Sequence, residues 1–282
     1  EIECPRQGLI RLTNTDKNVP SHIKFDFSLA SLDLRYRLDR VGTVVLQGTR
    51  QTKVSDGMLD GGLAATTMYA AILGLPIASS NATFDTDATS NTQELRLVSP
   101  EGGNWDWIVG AFRRGYEADV HAVVNFDIIP AFQAAEILPL KATETALYGE
   151  LTRRFAGKWE ATLGARQYTT KLDGAFVSSA FGGTVPVYNA PIEQSESGLN
   201  PKFSLSYKAS KSLMAYASIS RGFQFGGVNT AAVEAGADPS IPRTYDSSVL
   251  WNREVGVRTD WLDRTLRLDV AVYDISWDKA QL

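Results

Sequence analysis

Apolar and polar residues alternate with a period of two in segment after segment of this 282-residue chain. Between Leu32 and Leu38, for example, three leucines and Tyr36 alternate with aspartates and arginines. Successive side chains of a β-strand point to opposite faces, so each such segment predicts a strand with one apolar and one charged face. Because the pattern organises almost the whole chain, we expect an all-β protein.

The alternating segments come in five pairs, and a short turn joins the members of each pair, which predicts antiparallel hairpins. The ten predicted strands are 32–38 and 41–53, 93–97 and 105–113, 145–155 and 159–171, 199–207 and 213–220, and 251–261 and 265–277.

The links between hairpins are long, about 24 to 37 residues, and begin near Ser55, Asp119, Leu172 and Phe223. Structureless links of that length are uncommon in compact soluble domains. Short periplasmic turns, long extracellular loops, aromatic strand ends and strands of about 9 to 13 residues are typical of a barrel that crosses an outer membrane. We therefore predict an antiparallel transmembrane β-barrel segment.

Composition excludes several other classes of protein. The 28 basic and 32 acidic residues give a formal net charge of −4 without any block of like charge, so a nucleic-acid footprint is absent. The single cysteine, Cys4, cannot form an intrachain disulfide, and His22 and His121 lie far apart. Zinc fingers, CxxC motifs and HExxH sites are therefore excluded, and we expect no metal site and no cofactor.

The chain also lacks the sequence marks of an enzyme. Asp85 and Asp87 fall in the first predicted long loop, where paired carboxylates are usually solvated turn residues. Neither histidine has the neighbours of a catalytic triad, and no phosphate-binding loop or nucleophile elbow is present. The apolar segment Met68–Ala78 is too short to span a membrane as a helix and predicts a short helix or a packed loop.

Several segments resemble the barrel region of TonB-dependent outer-membrane receptors. In Leu199–Asn229, a Pro-Lys strand, a short turn and a Tyr-Ala-Ser strand end in Ser-Arg-Gly-Phe and Gly-Gly, as in that family. The segments QELRLVS at Gln93–Ser99 and WDWIVG at Trp105–Gly110 agree with it, as do Ala146–Gln167 and Trp251–Trp277. Together they cover most of the chain from about residue 90 onward, in the order of the family.

The resemblance implies a 22-stranded barrel that surrounds an N-terminal plug domain. This chain shows no plug sequence, no energy-coupling box and no final strand with a terminal aromatic residue. Ten strands cannot close such a barrel, and an open half-barrel would expose unpaired edges. We therefore expect residues 1–282 to be part of the barrel domain, without the plug domain and the C-terminal strands.

The resemblance further implies a receptor in the outer membrane of a Gram-negative bacterium. Such receptors take up a bulky, scarce ligand, such as a ferric siderophore, vitamin B12, haem or an oligosaccharide. The implied partners are the TonB energy-coupling complex acting through the plug, outer-membrane lipid, the ligand and other chains that complete the barrel. A structural or assembly component and a passive porin stay open as alternatives.

Alternation and resemblance together predict the residues that face the plug or the lumen. These are the charged residues Arg35, Arg37, Glu94, Arg96, Glu150, Arg154, Arg166, Lys202, Glu254, Arg258 and Arg267. The predicted rim and loop residues are Arg221, Phe223, Phe225 and Asn229. Alternation points Arg221 outward unless a bulge at Gly222 returns it to the lumen, and Gly226-Gly227 is expected to supply positive φ for a sharp loop entry.

Overall fold

Long antiparallel strands make up nearly all regular structure of a computed structural model of the chain. The structure describes residues 21–60, 66–67, 70–71, 74–100, 102–126, 133–181, 183–229, 232, 238–263 and 265–280. The strands are β1 (His22–Leu38), β2 (Gly42–Asp60), β3 (Ser80–Val98), β4 (Trp105–Phe126), β5 (Ala134–Phe155), β6 (Trp159–Ala180), β7 (Val185–Lys208), β8 (Leu213–Gln224), β9 (Gly227–Val228), β10 (Thr244–Tyr245), β11 (Ser248–Trp261) and β12 (Leu266–Asp278). Among these residues, no helix is long and apolar enough to cross a membrane.

Ten of the strands form one antiparallel sheet in the order β1-β2-β3-β4-β5-β6-β7-β8-β11-β12, and β9 pairs with β10 separately. All five predicted hairpins are present, which confirms the all-β architecture. Two of the short turns have positive φ at both central residues, at Ala156-Gly157 and at Leu262-Asp263. That geometry suits the twist of an antiparallel hairpin. The sheet is not closed, because β1 and β12 lie at its two edges.

The predicted lengths of the strands and links are wrong. The first seven strands have 17 to 24 residues, well beyond the roughly 9 to 11 that cross a bilayer. Most of the links predicted as loops are strand, and the remaining connections occupy 61–79, 127–133, 181–184 and 225–247. Of Met68–Ala78, residues 68, 69, 72 and 73 lie outside the described residues, whereas Ala70 and Ala71 are helical.

The apolar face changes sides along the long strands. In β1, Leu32, Leu34 and Tyr36 lie on one face. Phe27 and Leu29 lie on the opposite face, because their residue numbers are odd and those of the first set are even. The same reversal separates the outward leucines near the short turns of β5, β6 and β7 from inward apolar residues further along these strands. Each long strand therefore has two halves of opposite polarity.

A small hydrophobic core lies where the second halves of β5, β6 and β7 turn their apolar side chains inward. Phe176, Ala190 and Ile192 are buried together. Val228 of β9 packs against this cluster. The connection between β8 and β11 is therefore held on the charged, concave face of the sheet, where it helps to form the site described next.

Candidate functional site

Near the short turns, the two faces of the sheet have the opposite polarity to that expected of a water-soluble protein. The apolar face is open, since Leu147 and Leu163 are 68% and 64% exposed. On the charged face, Thr162 near the short turn is buried, as are Glu144 and Thr170 further along the strands. Large apolar side chains avoid water, whereas a membrane barrel points its apolar residues toward lipid and its polar residues inward.

All eleven residues predicted to face the lumen lie on the same face. Residues paired across antiparallel strands point to the same side, and the registers run without interruption from Arg35 through Arg96 to Arg166. Most of them bond to a neighbour on that face. Their partners are Asp33 for Arg35, Arg96 and Tyr148 for Glu94, Lys202 for Glu150, Asp106 and Glu160 for Arg154, Glu144 for Arg166, Tyr216 for Glu254 and Asp260 for Arg267.

Arg258 of this set stacks on the Tyr216 ring, with the guanidinium carbon 5.1 Å from the ring centroid. Arg37 makes no ion pair with any other residue in the described part of the chain. The charged face near the short turns is thus largely neutralised by its own side chains.

A cavity of about 190 Å³ lies on this face, between the inner surfaces of β4–β7 and the connection from β8 to β11. Arg114, Tyr116, Glu144, Glu196 and Phe225 line it. The Glu144 carboxylate pairs with the Arg166 guanidinium at 2.5 Å, between Oε1 and Nη2. The Arg114 guanidinium has no ion-pair partner among the described residues. The cavity therefore offers an uncommitted cation beside aromatic rings.

The connection at 225–247 is fastened to β7 along one wall of this cavity. The Glu196 carboxylate accepts hydrogen bonds from the backbone N–H of Ser247, at 2.9 Å, and from its hydroxyl. The Gln194 amide donates to the backbone carbonyl of Tyr245 at 2.9 Å. The Arg243 guanidinium donates to the Tyr188 hydroxyl at 3.3 Å. These bonds hold the end of the connection from Arg243 to Ser247 against β7.

Two charged groups outside the sheet have shifted pKa values in this region. The backbone N–H of Ser240 donates to the Asp238 carboxylate at 2.9 Å and lowers the pKa of that carboxyl. The Lys279 ammonium, just after β12, donates to the Asp246 carboxylate at 2.7 Å, which raises the pKa of the lysine. Both bonds favour the charged forms of these groups at neutral pH.

Of the predicted rim residues, Phe225 lines this cavity and Phe223 packs against Phe225. The Phe223 ring stacks on Tyr168 with centroids 3.7 Å apart, and Tyr168 lies on the charged face. Phe225 packs edge-on against Phe223 at 5.2 Å. Arg221 donates to the backbone carbonyl of Leu199. The Asn229 backbone N–H donates to the carbonyl of Arg243 at 2.8 Å.

No bulge occurs at Gly222, because β8 and β11 stay in register through it. Instead, β8 leaves its ladder with β7 after Ser220, which opens a gap that Arg221 and Phe223 enter. The predicted positive φ at Gly226-Gly227 is wrong. A Cβ at Gly226 would lie 2.2 Å from the carbonyl oxygen of Tyr245, so these glycines allow a close approach of the backbone.

Three tyrosines on the charged face lie flat over a glycine of the neighbouring strand. A Cβ at Gly198 would come within 2.5 Å of the Tyr168 hydroxyl oxygen. Gly110 beneath Tyr148 and Gly256 beneath Tyr216 repeat the arrangement. Aromatic cover of this kind protects the exposed backbone of a glycine in a strand.

Sequence reasoning missed most of the residues that line the cavity. Arg114, Glu144 and Glu196 lie in the charged phase of β4, β5 and β7, beyond the ends of the predicted strands. Continuing the alternation past Arg113, Thr145 and Leu199 would have found them. These residues were missed because the predicted strands were too short, and each one ended before it reached the residues that line the cavity.

The acidic pair considered as an enzyme site lies in a strand, not in a loop. Asp85 and Asp87 belong to β3, and Asp85 pairs with His121 of β4 on the outer face. Neither pairs with a serine in the manner of a triad, and the described residues contain no group of three potential metal ligands among His, Cys, Asp and Glu.

The outward-facing aromatic residues mark a band of the height expected for a membrane. Trp251 and Trp261 face outward at opposite ends of β11. Ten residues of strand span about 34 Å, or roughly 26 Å after a tilt of about 40°. At the short-turn end, Trp159 contacts Tyr207 at 4.6 Å between ring centroids. A belt of this kind is typical of the boundary between hydrocarbon and water.

Comparison with known proteins gives consistent matches. Residues 6–281 match the family described as TonB dependent receptor-like, beta-barrel. The structure is similar to the ferric yersiniabactin uptake receptor FyuA from Yersinia pestis, with a TM-score of 0.75 at 16% identity over 95% of this chain and 38% of that one. It is also similar to the siderophore receptor PiuA from Acinetobacter baumannii, with a TM-score of 0.63 at 16% identity over 90% and 40% of the two chains. This chain thus spans less than half the length of these receptors.

Proposed function

We propose, because this chain belongs to the TonB-dependent receptor β-barrel family, that it forms part of the wall of an outer-membrane receptor for active uptake of a bulky ligand. The observation that carries the proposal is the family match over nearly the whole chain. The inverted polarity of the sheet supports it, because apolar side chains face outward over a band of membrane height. Under this proposal, the concave face with its paired charges lines the lumen or contacts the plug.

The cavity beneath the connection at 225–247 is proposed to contact the ligand. Its uncommitted Arg114 guanidinium can bind an anionic group by charge-assisted hydrogen bonds. The rings of Tyr116 and Phe225 supply apolar surface beside it. An anionic ligand with planar or apolar parts, such as a ferric siderophore, fits these features, and the proteins similar in structure include a ferric yersiniabactin uptake receptor and a siderophore receptor.

Uptake in living cells tests the transport proposal. The full-length protein is expressed in a Gram-negative strain without its own siderophore receptors, and cells are supplied with radioiron-loaded catecholate, hydroxamate and carboxylate chelates, haem and vitamin B12. We expect uptake of one probe that stops when TonB is deleted. TonB-independent uptake would instead show a passive porin, and no uptake of any probe together with co-purifying barrel chains would show an assembly component.

The adjacent residues Arg113 and Arg114 provide a matched pair for the ligand site, because they lie on opposite faces of β4. Replacing Arg114 with glutamine removes a charge-assisted bond and should weaken binding of the transported probe about tenfold. The change Arg113→Gln on the outer face should leave binding unaltered. Equal affinities of the two variants in a binding titration would remove the cavity from the ligand path.

A further inference from the structure

A pocket on the charged face opens at the short-turn ends of β7, β8, β11 and β12. Its volume is about 330 Å³, and Lys208, Lys211, Met214 and Arg258 contribute to its lining. Met214 pairs with Lys208 across β7 and β8, and with Arg258 across β8 and β11. Paired residues point to the same side of a sheet, so Lys208 and Arg258 stand on either side of Met214. We call Lys208, Lys211 and Arg258 the basic mouth.

The cations of the basic mouth are exposed and form no ion pair with any residue in the described part of the chain. Arg267 and two carboxylates also line the pocket. The carboxylate of Asp260 is neutralised by Arg267, whose Nε donates to Oδ1 at 2.8 Å. The second carboxylate, Asp269, lies opposite Arg258 in the register of β11 and β12. Four cations and two carboxylates leave the pocket with an excess of two positive charges.

This excess of charge distinguishes the pocket from the charged face around the neighbouring short turns. Near the short-turn ends of β4, β5 and β6, Arg154 pairs with both Asp106 and Glu160. Further along β5, Glu150 pairs with Lys202 of β7 at 2.9 Å. These groups neutralise one another within the chain. The basic mouth has no such partners among the described residues, so it attracts an anionic group from elsewhere.

The spacing within the basic mouth selects the kind of anion. Lys208 and Arg258 lie two strands apart, which places their backbones about 10 Å from each other. Half-buried Met214 supplies apolar surface between them. Inorganic phosphate is too small to contact both cations across that distance and has no apolar part. In an extended polypeptide, by contrast, residues i, i+2 and i+4 line one face and span about 13 Å.

We propose that the basic mouth binds an extended acidic segment of a polypeptide on the short-turn side of the sheet. Two carboxylates of the segment pair with the cations on β7 and β11, and the apolar side chain between them packs on Met214. Lys211, in the turn before β8, adds a third cation at the entrance. The proposal rests on the pocket at the short-turn end and not on transport.

Binding of short peptides to the purified full-length protein in detergent tests the proposal. The probe is a fluorescent peptide with the sequence Glu-Ser-Leu-Ser-Glu, and binding is followed by fluorescence anisotropy. The comparison peptides are Gln-Ser-Leu-Ser-Gln, which lacks the carboxylates, and Glu-Ser-Gly-Ser-Glu, which lacks the apolar side chain. We expect the probe to bind more tightly than either of them. Since an exposed ion pair contributes up to about fivefold, the variant K208Q, K211Q should bind the probe about tenfold more weakly.

A matched variant removes the same number of charges from two other short turns. Arg40 and Lys158 are exposed in the turns after β1 and β5, so R40Q, K158Q should keep the affinity of the unchanged protein. Heat-modifiable migration in gels shows that both variants are folded. Equal affinities of the two double variants, equal binding of the three peptides, or displacement of the probe by an equal concentration of inorganic phosphate would overturn the proposal. Loss of uptake with peptide binding intact would instead count against the transport function alone.

Discussion

Leu163 is the residue at which the membrane placement of the outer face can be tested most directly. It is 64% exposed on that face, four residues along β6 from Trp159 at the short-turn boundary. That distance is about 14 Å along the strand, or roughly 10 Å across a tilted barrel, close to the middle of an apolar band about 25 Å tall. In the proposed orientation its side chain therefore meets lipid near the centre of the bilayer.

Replacing Leu163 with arginine should destabilise the protein in a membrane by about 2–4 kcal/mol, the cost of a cation near the bilayer midplane. In water, the same change at so exposed a position would alter stability by about 0.5 kcal/mol or less. The matched control is Val187→Arg in β7, because Val187 is 57% exposed but lies near the far end of that strand, well beyond the band. We expect this control to be nearly neutral.

The assay is urea unfolding of the full-length protein inserted in phosphatidylcholine vesicles, with tryptophan fluorescence and heat-modifiable migration as two readouts. The difference between the two variants isolates the contribution of lipid, since both place an arginine on an exposed apolar site. If Leu163→Arg and Val187→Arg unfold at the same urea concentration, the outer face near Leu163 is not against hydrocarbon.

Two further predictions concern the concave face. The change Glu196→Gln weakens the charge-assisted hydrogen bonds that hold the connection at 225–247, which are worth about 1.5–3 kcal/mol. A protease should therefore cleave this connection about ten times faster than in the unchanged protein. The control variant Glu193→Gln, on the outer face, should be cleaved at the original rate. Gly198→Val forces a neighbouring ring to move and should lower the free energy of unfolding by about 1–3 kcal/mol. At Gly222 an added Cβ meets no atom within 4 Å, so Gly222→Val should be tolerated, and equal urea midpoints for the two valine variants would contradict this reasoning.

The period of two predicted the fold because it is a local property of the strand. From Leu32 to Leu38, the polarity of each residue predicts the face of the strand on which it lies. The short turns at Asp39-Arg40 and Ala156-Gly157 predict which strands are neighbours in the sheet. The five hairpins, the common face of the eleven charged residues and the family resemblance all follow from such local patterns.

The cavity was less predictable because it depends on where strands end and on what leaves the sheet. The predicted strands stopped at Thr145 and Leu199 because the apolar phase reverses beyond these residues, and a reversal of phase looks like a loss of pattern. Phe223 lies against Tyr168 because β8 leaves β7 after Ser220, an event that alternation does not encode.

The tyrosines that lie across glycines also have a consequence for the space beside the wall. A ring that stands upright from a sheet takes room from whatever lies in front of it, but a ring folded over its neighbouring strand adds only its own thickness. Tyr148 and Tyr216 therefore add aromatic surface to the charged face with little loss of clearance, whereas Tyr168 is buried under Phe223. The hydroxyls of Tyr148 and Tyr216 donate hydrogen bonds to the carboxylates of Glu94 and Glu254, so each ring is held at its edge and cannot swing up into the space beside the sheet.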